Sequence, residues 1–298
     1  MPRDVDNPFA LDRRAVRRAF SAASRSYDQV AVLQTEVRQR LLERLDLLKL
    51  TPQVVLDLGC GTGHASRALQ QRYPHAGVIA MDAALGMTQV TAASSNWFHK
   101  LFKRTPLSVC ADAFKLPLKN ASVDLVYSNL MLQWCEPPDL VFQEIQRVLK
   151  PGGVLLFASF GPDTLKELRA AWAAVDAHTH VNRFIDMHDL GDALLRAGLA
   201  EPVLDVERFT LTYVDVMTLM RELKAIGAHN VNVGRPVGLT SRVALQRMIA
   251  AYETQRRDAV LPASYEVVCG QAWGSECSAA KESGEVRIPI ERIGRRKR

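Results

Sequence analysis

A doubly wound α/β domain with a mostly parallel, seven-stranded sheet and added helices is the fold class that three observations predict. Short aliphatic runs of strand length recur from residue 54 onwards, and helical stretches separate most of them as far as residue 160. The first run, VVLDLGCGTGHAS at 54–66, passes from strand formers through three glycines in five positions into helix formers. Strands that alternate with helices build a parallel sheet covered on both faces.

The elements follow in order. Ahead of the sheet, Val16, Phe20, Ala23 and Tyr27 recur at helical spacing, then Val30, Leu33, Val37, Leu41, Leu45 and Leu48 do the same, which predicts two amphipathic helices. Strands are expected at 54–58, 77–82, 107–110, 123–128 and 153–159, with helices at about 63–73, 84–94 and 138–149. A strand-like stretch at 206–213 precedes two helical segments, VDVMTLMRELKAIGA and TSRVALQRMIAAYETQRR, and a last strand near 265–270. Helices before the sheet and between its final strands are placed to lie over the carboxyl ends of the strands as a lid. The plan is a helical lid at 1–50, an α/β domain at 51–275 with a helical insertion at about 214–257, and a basic tail at 276–298.

Composition narrows the class. With 298 residues, 48% of them apolar, the chain has ample material for a core. No apolar run reaches the length of a membrane span, and MPRDVDNPFALDRRAVRR lacks the apolar stretch of a signal peptide, so a soluble cytoplasmic protein is expected. Five scattered cysteines without a C-x-x-C pair suggest neither a disulfide framework nor a zinc site. The net charge of +6 is uneven: residues 276–298 hold seven basic against four acidic side chains, the composition of a solvated, disordered tail.

Glycines after the first strand let a ligand approach the main chain, and the helix beyond offers free N–H groups. The nicotinamide fingerprint G-x-G-x-x-G is not met, because His64 occupies the place of its third glycine, and no Gly-Lys-Ser/Thr follows to make a phosphate loop. The pattern is G-x-G-x-G at Gly59, Gly61 and Gly63, with Asp57 two residues earlier.

This loop resembles motif I of the class I S-adenosylmethionine-dependent methyltransferases, and further matches follow in order. Asp82 ends the second strand in VIAMDAALGM, where the family has an acid that accepts hydrogen bonds from both ribose hydroxyls. Asp112, in VCADAFKLPL, falls where the family has an acid beside the adenine amino group. SVDLVYSNLMLQW and RVLKPGGVLLFASF look like the fourth-strand motif and the helix, turn and fifth strand. The resemblance implies a site for S-adenosylmethionine made by Asp57, Gly59, Gly61, Gly63, Asp82, Ala83, Met87, Asp112, Ala113 and Asn129, with Asp57 facing the cationic amino-acid end. A carboxylate clamps a ribose diol by two charge-assisted hydrogen bonds, which suits this cofactor. The AALGM stretch is smaller than in many relatives, so Met87 is expected only as a packing contact.

Segments outside this core, including AVRRAFSAASRSYDQVAVLQ, HVNRFIDMHDLGDALLRAGLAEPVLDVE and LPASYEVVCGQAWG, resemble the malonyl-acyl-carrier-protein O-methyltransferases of biotin synthesis over residues 11–275. That family methylates the free carboxylate of a malonyl thioester, an acceptor already ionised at neutral pH, so no general base is expected. Such a carboxylate needs donors, and Arg183 with Asn182 are the candidates, with Tyr27 as a positioning hydroxyl from the lid and Gln133 and Trp134 lining the pocket. Arg14, Arg17 and Arg18 share one face of the first helix, opposite Val16 and Phe20; this is either a solvated face or a docking surface for an acidic carrier protein.

The place of the Asn/Asp-Pro-Pro-aromatic motif of amino-methylating enzymes reads SNLMLQW, so a nucleic-acid substrate is not expected. His178, His180 and His188 lack supporting acids at ligand spacing, and no metal is expected. The alternatives are a methyltransferase for another small carboxylate or a quinone ring, or a methyltransferase-like assembly factor of a respiratory complex.

Overall fold

A computed structural model of the chain describes residues 10–94, 105–235, 238 and 240–275. The basic tail expected at 276–298 lies outside the described residues. The N-terminal segment forms α1 (Arg13–Ala23), a one-turn α2 (Tyr27–Val30) and α3 (Val32–Glu43), with a 3-10 turn at Arg44–Leu47. Asp12 starts α1 by accepting from the N–H groups of Arg14 and Ala15, both at 3.0 Å. Where spacing alone suggested two helices, the first breaks at Ser24–Ser26 and its last member, Tyr27, opens a separate turn.

The sheet begins with β1 (Val54–Leu58), α4 (His64–Arg72), β2 (Gly77–Asp82), α5 (Leu85–Ala93), β3 (Leu107–Cys110) and β4 (Val123–Asn129). It continues through α6 (Pro138–Val148), β5 (Leu149–Phe160), α7 (Lys166–Ala173), α8 (Met187–Arg196) and β6 (Ala200–Tyr213) to α9 (Val216–Ala225), α10 (Arg242–Glu253) and β7 (Leu261–Trp273). Strand order is β3-β2-β1-β4-β5-β7-β6, parallel except that β7 runs antiparallel to both neighbours. The expected seven-stranded, mostly parallel sheet is present. Sequence patterning did not assign α7 and α8, and it began β6 six residues late. Pro202 and a left-handed Glu201 (φ 49°) interrupt the opening of that edge strand, and its alternation with charged side chains hides it.

Period-2 alternation sends Val55 and Asp57 to one face of the sheet and Leu56 and Leu58 to the other. On the first face Leu33, Val37 and Leu41 of α3 and Leu69 of α4 pack against Val55, Leu125, Tyr127 and Leu156. The three α3 side chains are at most 4% exposed, and each such burial contributes about 1.5–3 kcal/mol. This anchors α3 beside the carboxyl ends of β1 and β4, where the Tyr127 hydroxyl donates to the Arg38 carbonyl at 3.2 Å. On the second face Phe142, Ile145, Leu190 and Leu194 cover Leu56, Val126, Leu155 and Phe157.

The insertion docks on the N-terminal helices. Ser26 Oγ donates to the Ala225 carbonyl at 3.3 Å, and the Asp12 N–H donates to the Val231 carbonyl at 3.0 Å. Gly227 has φ 80°, and a Cβ there would stand 3.2 Å from the Ala19 backbone, so glycine permits the close approach. Among the described residues, no helix is long and apolar enough to cross a membrane.

Candidate active site

β1, β2 and β4 end together, and the turn after β1 is shaped by its glycines. The N–H groups of Gly59 and Cys60 both donate to the Met81 carbonyl, at 2.8 and 2.9 Å, which pins the loop against the end of β2. The three glycines are all left-handed, with φ of 80°, 54° and 81°, but they serve different ends. A Cβ on Gly59 would lie 2.3 Å from Met131 Cγ, and one on Gly63 2.6 Å from Thr91 Cγ2, whereas one on Gly61 would meet nothing within 4 Å. Gly61 therefore presents bare backbone to open space, and Gly63 is a packing glycine at the start of α4 that does not line the cleft. The expectation that Gly63 contacts the cofactor is corrected on that ground: its missing side chain makes room for Thr91.

Two carboxylates organise the turn. Asp82 accepts from the Gly61 N–H at 3.0 Å and the Ala84 N–H at 2.8 Å, one on each oxygen, and surrounding protein raises its pKa. Asp57, 1% exposed, accepts from the Ser66 hydroxyl at 2.5 Å. Burial, opposed by that bond, pushes its carboxyl up to about 7, and Asp82 adds to the rise.

The cleft above these ends has a volume of about 850 Å³, and Asp82, Ala83, Met87, Asp112, Ala113 and Asn129 all line it. Asp112 uses Oδ1 to accept from the Phe114 N–H at 3.1 Å. The roof is α1: Val16, Arg17 and Phe20 face inward, Phe20 meets Trp134 edge-on at 5.1 Å, and the Arg13 guanidinium lies 3.4 Å over the Phe114 ring. Leu130, at φ 53°, sits in strained backbone at the end of β4 and also faces the cleft. Beyond Gly59 and Gly61 a second lobe opens beside α3, lined by Asp57, Arg38, Thr62 and Asn129. Tyr27 stands at the junction and borders both lobes. Burial, helped by Asp82 and Asp28, raises its pKa and keeps the phenol a proton donor.

Asp28 ties this roof to the turn, accepting from the Thr62 hydroxyl at 2.6 Å and pairing with His64 Nε2 at 3.1 Å. Asn129 donates to the Gln34 carbonyl at 3.1 Å, while its Oδ1 is buried without a partner.

Other expected residues fall elsewhere. Trp134 lines the cleft, but Gln133 turns back to donate to the Leu130 carbonyl at 2.7 Å and does not line it. Asn182 is buried and accepts from Asn232 Nδ2 at 3.0 Å, fastening the insertion to the chain after β5. Arg183 is exposed and lines neither lobe. The arginines of α1 do not share one face: Arg17 joins Val16 and Phe20 at the cleft, while Arg14 and Arg18 are exposed and line neither lobe. At about 100° per residue, Arg17 stands some 60° from Phe20, and the other two stand 120° or more away.

His180 pairs with Asp176 at 2.9 Å and stacks on Trp172, and His188 pairs with Asp186 at 2.7 Å. Among the described residues a metal-ligand grouping occurs at Asp205, Glu207 and Cys269, where Arg44 and Arg40 already pair with the carboxylates. Reading the sequence missed Phe114, Leu130 and Met131, which follow recognised motifs by one to three residues, and Arg13 and Arg38, whose positions depend on helix packing.

Residues 56–157 match the family described as a methyltransferase domain. The YcgJ protein of Bacillus subtilis shares the fold at a TM-score of 0.57 and 14% identity, covering 79% of this chain and 98% of that one. The malonyl-[acyl-carrier protein] O-methyltransferase of Methylovorus sp. is 56% identical over 93% of this chain and 94% of its own length. That of Gallionella capsiferriformans is 52% identical over 90% and 92%. Identity of this order across lid, sheet and insertion alike, well beyond the shared domain, means that the chain belongs to the malonyl-[acyl-carrier protein] O-methyltransferase family.

Proposed function

We propose that the protein transfers the methyl group of S-adenosylmethionine to the free carboxylate of a malonyl group carried on acyl-carrier protein, an early step of biotin synthesis in the cytoplasm. The observation that carries this reading is the identity to malonyl-[acyl-carrier protein] O-methyltransferases over more than nine-tenths of the chain. The cleft fits the cofactor. Asp82 and Asp112 stand where a ribose and an adenine are to be held, and Gly61 leaves room for a ligand against the main chain. The orphaned Asn129 Oδ1 is an acceptor for an ammonium.

When bound, S-adenosylmethionine supplies an electrophilic methyl carbon, which bonds to an oxygen of the acceptor carboxylate as the carbon–sulfur bond breaks. The acceptor arrives ionised, so the protein has no proton to remove. Its residues contribute position and dryness. Tyr27 offers a protonated hydroxyl at the junction of the lobes, and Leu130, Phe20 and Trp134 exclude water around it. In this reading residues 1–50 form the lid and residues 51–275 the catalytic domain with its insertion at 214–257.

Arg14 and Arg18, exposed on the outer side of α1, are the docking candidates for an acidic carrier, and Arg17 belongs to the cleft mouth. The test supplies labelled S-adenosylmethionine with malonyl-carrier, malonyl-coenzyme A and free malonate in turn. A methyl ester forming fastest on malonyl-carrier is the expected result, and label on none of the three would sink the assignment. Reversing Arg14 and Arg18 to glutamate should lower kcat/KM for malonyl-carrier and flatten its salt dependence, with malonyl-coenzyme A turnover much less affected. Deletion of residues 276–298 is the control for net charge. Equal losses with both thioesters would remove the docking role.

A further inference from the structure

The lobe beside α3 combines groups of both charges. Asp57 and the unpartnered Asn129 Oδ1 face it as acceptors, both buried. Arg38 faces it as a cation: it is partly buried, and among the described residues its guanidinium makes no hydrogen bond or ion pair. Its neighbours on α3 and after it are all engaged, Arg40 with Glu36 and Glu207, and Arg44 with Asp205 and Glu207. Arg38 is thus a donor fork held at a pocket wall with its hydrogen-bonding capacity unspent. Its backbone is fixed by the Tyr127 hydroxyl on its carbonyl, so the helix cannot roll it out of the lobe without breaking that bond.

A pocket with a carboxylate and a bare amide oxygen on one wall and a free guanidinium on another is complementary to a zwitterion. An α-amino acid has its ammonium and carboxylate on adjacent carbons, and an arginine fork holds a carboxylate by two parallel N–H bonds. The lobe joins the main cleft at Gly59 and Gly61, on the far side of the turn from the ribose acid Asp82. That is where the amino-acid end of an adenosyl amino acid must lie.

We propose that Arg38 binds the α-carboxylate of S-adenosylmethionine, so that a helix preceding the sheet completes the cofactor site. The proposal rests on the reading of the cleft as the S-adenosylmethionine site. It gives the enzyme a means to select cofactors with an intact amino acid over adenosyl compounds without a carboxylate. It also makes cofactor binding favour the docked position of α3, because ligand and sheet hold the same helix.

Binding without turnover provides the test. Calorimetry compares wild type, Arg38→Ala and Arg38→Lys with two ligands: S-adenosylhomocysteine, which keeps the amino acid, and 5′-methylthioadenosine, which lacks it. Arg38→Ala should weaken S-adenosylhomocysteine by about 10- to 100-fold, the scale of a charge-assisted hydrogen bond, and leave methylthioadenosine unchanged. Arg38→Lys should recover part of the loss. Equal weakening of both ligands would mean that Arg38 only supports the helix, and the proposal falls. Unchanged S-adenosylhomocysteine affinity with a raised KM for the malonyl thioester would assign the guanidinium to the acceptor and overturn it as well. Failure of wild type to bind S-adenosylhomocysteine at all would overturn the cofactor reading, and this proposal with it.

Discussion

Replacing Asp82 by alanine is expected to weaken S-adenosylmethionine binding by about 1.5 to 3 kcal/mol, the scale of a charge-assisted hydrogen bond lost from a buried site. The carboxylate has two duties. It accepts the Gly61 and Ala84 N–H groups, which sets the turn, and it stands where both ribose hydroxyls are to be met. Asp82→Ala leaves those N–H groups without an acceptor, so the turn loosens along with the ligand contact. Asp82→Glu should also bind poorly, since a longer arm displaces the carboxylate from both N–H groups. Titration with 5′-methylthioadenosine sharpens the measurement: that ligand keeps the ribose and should lose as much affinity as the full cofactor. Near wild-type binding of either ligand would remove Asp82 from the ribose.

The second large effect has opposite signs in two assays. Asp57 has a folded-state pKa of about 7 against a model value of 3.8, with burial as the leading cause. A raised carboxyl means that the folded chain holds a proton which the unfolded chain releases. Its contribution to stability is fully present below the unfolded pKa and is lost as pH rises through about 7. Asp57→Asn stays neutral throughout. Without cofactor it should therefore unfold at a higher Tm than wild type at pH 8, by up to a few kcal/mol in stability, and the gap should close towards pH 4. The same variant should bind S-adenosylmethionine more weakly, because the negative charge that faces the cationic end is gone. Melting curves from pH 4 to 8 without ligand decide the first half. A variant less stable than wild type at pH 8 would show that Asp57 is ionised at no cost in the empty protein.

The legible residues share a physical property: they sit at strand ends, where alternation and a short turn leave few choices of direction. Asp57, Gly61, Asp82 and Asp112 were readable for that reason. The helix residues were not. A 3.6-residue repeat gives the angle between Arg14, Arg17 and Arg18 but not which shoulder of the helix meets the cleft, and Arg17 faced inward against expectation. Gly63 shows another limit, since a glycine that makes room for Thr91 reads like one that makes room for a ligand. Asn182 and Arg183 were chosen as donors beside the fifth strand. The first is spent on Asn232, a partner 50 residues away that no local pattern announces. Arg38 went unremarked because an arginine on the polar side of an amphipathic helix looks like any solvated charge.

The anchoring of α3 bears on how the molecule is made. Its Arg38 and Gln34 carbonyls receive hydrogen bonds from Tyr127 and Asn129, 89 and 95 residues further along the chain. Its apolar stripe packs against β4 and β5, while α1 and α2 lean on the insertion more than 190 residues away. During synthesis these first helices leave the ribosome with nothing to pack on, and closing so long a loop is entropically costly and slow. The sheet can order around β1, β4 and β5 before its N-terminal cover settles. The segment made first is then the last to dock, and the cleft acquires its roof only when nearly the whole chain has been made.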